Sequence, residues 1–409
     1  MALAAVLAAA GMTVAAKPEK ALAAGTVNEK EQAGDENNSR ATAEELPADT
    51  TMLGKIVYGE DAKESDYYKF TFKGKGYYTF KLENYELATN IGDGWNMTIY
   101  DEDMNEFLSY DVEEGSVESR KIAYKEGTVF YLIIRDHNTN YDWAKSQEAV
   151  YGLTASFTED KYWEAEANDT TSTANVIEGG KISGTIVDTD DVDYYMYTAK
   201  DNGYVKAYVE NTLGDVDNVG DGWIFNAYDK DMNDILKTDS FKTVSWECEC
   251  IVKKGQVIYF KVAPYNTNYT WACPIDVQYS LNVSFTKSGS VEKENNNSFD
   301  QANTIKKSVF GVVGDSSNKH EEDWFKFTAS KSGNTKIKVD IPDLANSYKV
   351  TVYDSKKKEV KSMSINSSKT LKFKTKKGQK YYVCVENENG GSLFSSSYSY
   401  GFLYKLTIK

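Results

Sequence analysis

The chain has 409 residues, 41% of them hydrophobic, enough for packed cores and for about three domains of ordinary size. Its 62 acidic residues outweigh 47 basic ones, a net charge of −15 that argues against nucleic acid or an anionic membrane as partner, since both ask for a basic patch. Plain solubility accounts for most of that acidity, and it is compatible with divalent cations.

In chain order, residues 2–16 are nearly all small or apolar and precede Ala21-Leu22-Ala23, a small-x-small cleavage pattern. The stretch is too short to span a bilayer, and residues 1–24 are expected to be a secretory signal peptide, although no Lys or Arg follows Met1. Residues 25–34 are polar and are expected to be a linker. Three repeats follow, over about 35–159, 160–288 and 289–409. Each opens on an acidic-Asn run: Asp35-x-Asn37-Asn38-Ser39, Glu166-x-Asn168-Asp169-Thr170 and Glu294-x-Asn296-Asn297-Ser298. Each continues with an Asp-aromatic-aromatic run: Asp66-Tyr67-Tyr68, Asp193-Tyr194-Tyr195 and Asp323-Trp324-Phe325. Period-2 runs such as Tyr67–Phe72, Val129–Ile134, Val257–Val262 and Tyr381–Val385, broken by Gly, Asn and Asp, predict short antiparallel strands. The fold class is therefore all-β, three antiparallel β-sandwiches in tandem, with brief helical stretches only at Ala41–Leu46, Thr171–Asn175 and Phe299–Asn303.

Cys248, Cys250, Cys273 and Cys384 form no repeated framework and no zinc spacing. Cys248 and Cys250 lie two apart on a strand and cannot bridge each other. A Cys250–Cys273 or Cys248–Cys273 disulfide and buried free thiols both remain open.

The second repeat carries the fullest signature: Glu164-Ala165-Glu166-Ala167-Asn168-Asp169-Thr170, Ala174, Ile177, Gly184 and Asp191-Val192-Asp193-Tyr194-Tyr195. With its counterparts in the other repeats, it resembles the bacterial pre-peptidase C-terminal domain, a family that includes the collagen-binding domains of bacterial collagenases. The resemblance implies a jelly-roll-like sandwich appended to exported proteins.

In an extended segment Glu164, Glu166 and Asn168 point to one side, with Asp169 turning in and Asp191 and Asp193 adding charge. Carboxylates so placed repel unless a cation or Arg lies between them, and no Arg is near in sequence. Hard oxygens in this number suit calcium. The resemblance likewise implies calcium at Glu164, Glu166, Asn168, Asp169 and Asp193, with Asp191 a further candidate. The third repeat offers Glu292, Glu294, Asn296, Asn297 and Asp323. In the first, Ala33 and Asp35 stand for the two glutamates, so a set of Asp35, Asn37, Asn38 and Asp66 is expected to bind weakly or not at all.

Two further motifs recur only in the first two repeats. Gly92-Asp93-Gly94-Trp95 returns as Gly220-Asp221-Gly222-Trp223, and Asn138-Thr139-Asn140-Tyr141-x-Trp143-Ala144 as Asn266-Thr267-Asn268-Tyr269-x-Trp271-Ala272. Trp95 and Trp223 alternate in phase with apolar residues and are expected in the core. Tyr141, Trp143, Tyr269 and Trp271, in Asn-rich loops, are candidates for contact with sugar rings or an extended peptide. Asp93 and Asp221 are candidates for ligand or metal contact, or for shaping the turn. The third repeat lacks both motifs and has basic runs at Lys356–Lys358 and Lys374–Lys377, read as an exposed sheet face or turn.

Only His137 and His320 occur, and neither an H-E-x-x-H nor a G-x-S-x-G motif is present. The expected protein is a secreted, monomeric, non-catalytic binder of an extracellular protein or polysaccharide. The alternative is a spacer or accessory module, and a carbohydrate-active enzyme is the least favoured reading. Exposure of the loop aromatics favours the binder, and their burial the spacer.

Overall fold

The computed structural model describes residues 25–30, 37–58, 64–85, 90–146, 149–214, 217–316, 319–341, 348–387 and 400–409. The expected signal peptide and Asp35 lie outside these residues. Almost every described element is a strand, and the strands form six sheets. Two compact units divide the chain, one of residues 1–122 and 126–159, the other of residues 123–125 and 160–409.

The first unit holds two five-stranded sheets. One runs Gly25–Asn28, Thr50–Gly54, Tyr151–Glu159, Gly76–Asn84, Ser116–Glu118; the other Glu44–Glu45, Asp66–Thr71, Val129–Asp136, Trp95–Tyr100, Glu106–Val112. The segment expected as a linker thus contributes a strand, Gly25–Asn28, parallel to Thr50–Leu53.

The second unit holds two pairs of sheets, the earlier of five and four strands and the later of five and five. In the earlier pair, Asn175–Val176, Asp193–Thr198, Val257–Pro264, Trp223–Asp229, Asp234–Lys237 face Gly180–Thr185, Gln278–Lys287, Gly203–Asn211, Cys248–Val252. In the later pair, Asn303–Thr304, Glu322–Thr328, Lys380–Asn387, Tyr348–Asp354, Glu359–Ile365 face Lys319–His320, Ser308–Ser316, Tyr400–Ile408, Gly333–Asp340, Lys369–Thr375. Between these two pairs the Leu403 amide donates to Glu249 Oε2 at 2.7 Å, and the rings of Tyr204 and Phe310 lie 5.1 Å apart.

Alternation sets the layers. Along Asp193–Thr198, Asp193, Tyr195 and Tyr197 point inward and their neighbours outward, the two-residue period of a half-buried strand. Trp95 and Trp223 are fully buried, as their phase requires.

The helical expectations largely give way. Of the three expected stretches only Phe299–Gln301 turns as a 3-10 helix, and two further 3-10 turns form at Asp142–Ala144 and Thr270–Ala272. At the other two expected stretches a Ser/Thr-capped turn, with Ser39 and Thr42 or Thr170 and Thr173 bonded to each other, leads into a two-residue strand parallel to the Asp-aromatic strand. Local side-chain bonds outcompete a helix too short to nucleate. No helix among the described residues is long and apolar enough to cross a membrane.

All four cysteines are buried, unbridged thiols. Reductant is therefore expected to leave the melting temperature unchanged within error in calorimetry, whereas Trp223→Ala, which empties a fully buried site, should cost about 3–5 kcal/mol in denaturant titration.

Candidate metal centres and aromatic loops

The residues before each Asp-aromatic strand carry a glutamate into the junction of the two sheets. In the second sandwich Glu164 Oε1 accepts the Thr185 amide at 2.5 Å. Its Oε2 accepts the Tyr195 hydroxyl, the Tyr279 hydroxyl at 3.2 Å and the Asn168 amide nitrogen at 3.5 Å. Tyr195 belongs to one sheet and Tyr279 to the other, and their hydroxyls meet at 2.6 Å. Tyr279 also donates to Asp193 Oδ2 at 2.5 Å. Gly184 lies against the Glu164 carboxylate, where a Cβ would overlap it.

Glu164, Glu166 and Asp193 are all buried, each offering an oxygen within 4.8 Å of the others. The peptide between Glu166 and Ala167 is cis. Asp191, also buried, accepts the Val187 amide at 2.5 Å. Asp169 is exposed and accepts the Val192 amide at 3.3 Å.

The third sandwich repeats the design. Glu292 Oε1 accepts the Val312 amide at 2.6 Å, Asn296 Nδ2 lies 3.4 Å from Glu292 Oε2, and Tyr404 donates to Asp323 Oδ2 at 2.7 Å. Phe325 replaces Tyr195, so one phenol fewer faces the carboxylates. Glu292, Glu294 and Asp323 form the second acidic cluster among the described residues, with Glu294 exposed. Asn297 is exposed.

The first sandwich departs from the sequence reading. The place of the first glutamate belongs to Glu29, not to the position of Ala33. Glu29 Oε1 accepts the Lys55 amide at 2.8 Å, and Oε2 accepts the Tyr68 hydroxyl at 2.6 Å and Asn37 Nδ2 at 3.4 Å. Tyr151 donates to Asp66, and Gly54 takes the place of Gly184. Asn38 instead donates to Glu64 at 2.7 Å. The missed signal was Glu29-x-Glu31, the same Glu-x-Glu as Glu164-x-Glu166, pushed away from Asn37 by inserted residues.

These sites suit a hard cation. Asn168 Oδ1, Asp193 Oδ1, Asn296 Oδ1 and Asp323 Oδ1 are buried with no hydrogen-bond partner, as is Asn37 Oδ1. An orphaned buried acceptor costs about 1–3 kcal/mol, and a bound cation relieves that cost. Every group offered is an oxygen.

Burial is also the main reason the carboxyls hold their protons tightly. It pushes Glu164 up to about 7 and Asp191 to about 8. Glu166, Asp193, Glu292 and Asp323 are raised well above the usual range by burial first and by neighbouring carboxylates second.

Without a cation, groups raised in the folded state stabilise it fully below their unfolded values, and that stability is lost as pH rises through the folded ones. With chelator present, calorimetry should show a melting temperature falling between about pH 5 and 8, with Glu164 alone contributing about 3 kcal/mol. Calcium should reverse the trend, its largest gain coming at the alkaline end; an equal gain at every pH would contradict this. Gly184→Ala should destabilise the protein by about 1–3 kcal/mol in denaturant titration, by crowding Glu164.

The two motifs shared by the first two sandwiches form one unit. The Asp93 amide donates to the Ala144 carbonyl, the His137 amide to the Gly94 carbonyl, and Asn138 Nδ2 to Asp93 Oδ2 at 2.8 Å. Asp221, Ala272, Tyr265, Gly222 and Asn266 repeat these bonds. Gly92 and Gly220 have positive φ and press on the backbone of Ala144 and Ala272, so a side chain fits at neither. Asp93 and Asp221 thus brace the loop above them.

On that braced loop Tyr141 and Trp143 are 58% and 65% exposed, and Tyr269 and Trp271 57% and 72%. Each pair is stacked, with centroids 5.5 and 5.4 Å apart. The buried methyls of Ala144 and Ala272 anchor the other side.

No family model and no curated protein matches the chain. Among solved structures, the pre-peptidase C-terminal domain of a collagenase from Bacillus anthracis is 19% identical over 27% of this chain and 94% of that one, with a TM-score of 0.21. Tandem CBM51 modules of a family 98 glycoside hydrolase from Streptococcus pneumoniae are 10% identical over 56% of this chain and 83% of theirs, with a TM-score of 0.19. The M60 catalytic domain of Clostridium perfringens ZmpB with its two CBM51 domains is 9% identical over 88% of this chain and 55% of its own, with a TM-score of 0.21. Likeness of this size carries neither ligand nor activity to this chain.

Proposed function

We propose that the protein is a secreted, non-catalytic binder of an extracellular polymer, built from three tandem sandwiches of the pre-peptidase C-terminal kind and held by calcium. The observation that carries this reading is the pair of stacked, solvent-facing rings, Tyr141 with Trp143 and Tyr269 with Trp271, on loops braced in the same way twice. Large rings left in water on a fixed loop lose little freedom when a ligand covers them, so binding keeps most of the stacking energy. A spacer would gain nothing from such exposure. Two copies on one chain add avidity without a new contact.

Calcium would be held by Glu164, Glu166, Asn168, Asp191 and Asp193 in the second sandwich and by Glu292, Glu294, Asn296 and Asp323 in the third. In the first it would be held by Glu29, Asn37 and Asp66. The cation would tie the entry segment to the sheet junction and leave the loops to do the binding. Domain bounds near 160 and 289, a signal peptide over 1–24 and a monomeric state belong to the same proposal.

The test is co-sedimentation with insoluble collagen, cellulose, xylan and peptidoglycan, with calcium or with chelator. Retention on one of them should fall at least tenfold in the Trp143→Ala/Trp271→Ala variant, while the melting temperature stays near that of the parent. Retention on none of the four, or retention indifferent to both rings, overturns the reading.

A further inference from the structure

The net charge conceals a division within the chain. Residues 289–409 contain 21 lysines, no arginine and 13 acidic residues, whereas residues 1–288 hold 26 basic and 49 acidic ones. The exclusion of polyanions from the overall charge therefore does not extend to the third sandwich.

Five of those lysines, Lys336, Lys338, Lys372, Lys374 and Lys409, share the outer face of one sheet. Along Gly333–Asp340, Thr335, Ile337 and Val339 point into the core, and Asn334, Lys336 and Lys338 point out. Along Lys369–Thr375, Leu371, Phe373 and Thr375 are buried, and Lys372 and Lys374 are exposed. The register sets Lys336 directly opposite Lys372 and Asn334 opposite Lys374. On the other flank Lys336 and Lys409 exchange backbone hydrogen bonds at 2.9 and 2.8 Å. Lys372, Lys336 and Lys409 thus stand in a row across three adjacent strands, about 4.8 Å apart from one strand to the next. Lys338 is paired with Asp340, but among the described residues no carboxylate lies within ion-pair distance of Lys336, Lys372 or Lys374.

The second sandwich shows the neutral version of the same place. There Lys206, three residues after Gly203 as Lys336 is after Gly333, stands opposite Glu249 and is paired with both Glu249 and Glu247. In the third sandwich the opposite residue is Lys372. Like charges facing each other across strands are destabilising, so the row carries a cost that the neutral version lacks. Lysines on an edge strand also deter pairing with other chains, which suffices for Lys372 and Lys374. It does not account for Lys336, whose strand has a neighbour on each side.

We propose that this lysine face docks a single flexible polyanion with a phosphodiester in each repeat, of the poly(glycerol phosphate) type. Lysine is a common phosphate binder and acts as a compact point charge, so successive phosphates can be met one by one without the two-pronged geometry that arginine imposes. The row spans only about 10 Å, the width of one chain rather than a membrane surface. Its near neighbours, Asn334, Thr370 and Thr407, provide neither rings to stack on bases nor apolar groups to enter a bilayer.

The test is binding of the full chain to fluorescently labelled poly(glycerol phosphate), followed by anisotropy. Affinity should drop about a hundredfold between 50 and 500 mM salt if three phosphates are engaged. Lys372→Glu/Lys374→Glu, which gives Lys336 a partner like Glu249, should weaken binding at least tenfold. Lys356→Glu/Lys358→Glu makes the same charge change in a turn of the opposite sheet and should leave binding unchanged. Equal losses in the two variants would reduce the effect to net charge and overturn the proposal. So would the absence of binding at 50 mM salt, or tighter binding to duplex DNA or to anionic lipid vesicles than to the polymer.

Discussion

Burial of a carboxylate at the junction of two sheets is the constraint on which each sandwich depends. Glu164 takes a backbone amide from one sheet and a phenol from each, so a single side chain ties the entry segment, both layers and the last strand together. The glycine beneath it exists because the carboxylate fills the space where a side chain would lie. The buried Asn168 and Asp193 Oδ1 atoms beside it have no hydrogen-bond donor. Such a centre is stable only if protons or a cation balance the charge, which couples the fold to pH and to divalent ions.

With that centre fixed, surfaces are free to diverge. The first two sandwiches spend a glycine-braced turn and an asparagine on holding two rings in water. Where the third sandwich is described, it carries lysines on a sheet face that its sibling neutralises with Glu249. Glu249 itself does a second task, accepting the Leu403 amide and so linking the second and third sandwiches. Repetition supplies the scaffold, and single substitutions on the outward phase of a strand supply the difference.

Strand content, the inward placing of Trp95 and Trp223 and the grouping of Glu164, Glu166 and Asp193 were legible in the sequence, because each rests on local rules. Two-residue alternation decides which side chains enter the core, and it needs no knowledge of neighbours. Spacing failed at Glu29, where an insertion of a few residues moved the glutamate out of the motif while the chain still returned it to the same amide and phenol. It failed again at Ala41–Leu46 and Thr171–Asn175, where hydroxyl-capped turns and pairing to a distant strand overrode a short helical pattern.

By itself the sequence determined the class of fold, the repetition and the chemistry gathered at the acidic centres, since these follow from periodicity and residue type along the chain. Only the tertiary structure decided that Tyr279, 115 residues beyond Glu164, shares its carboxylate. It alone brought Asp221 under the loop of Trp271, and set Lys336 against Lys372 rather than against a glutamate. The physical reason is register: which residues oppose one another across strands is fixed by how distant segments pair, and electrostatics acts across that short distance rather than along the chain.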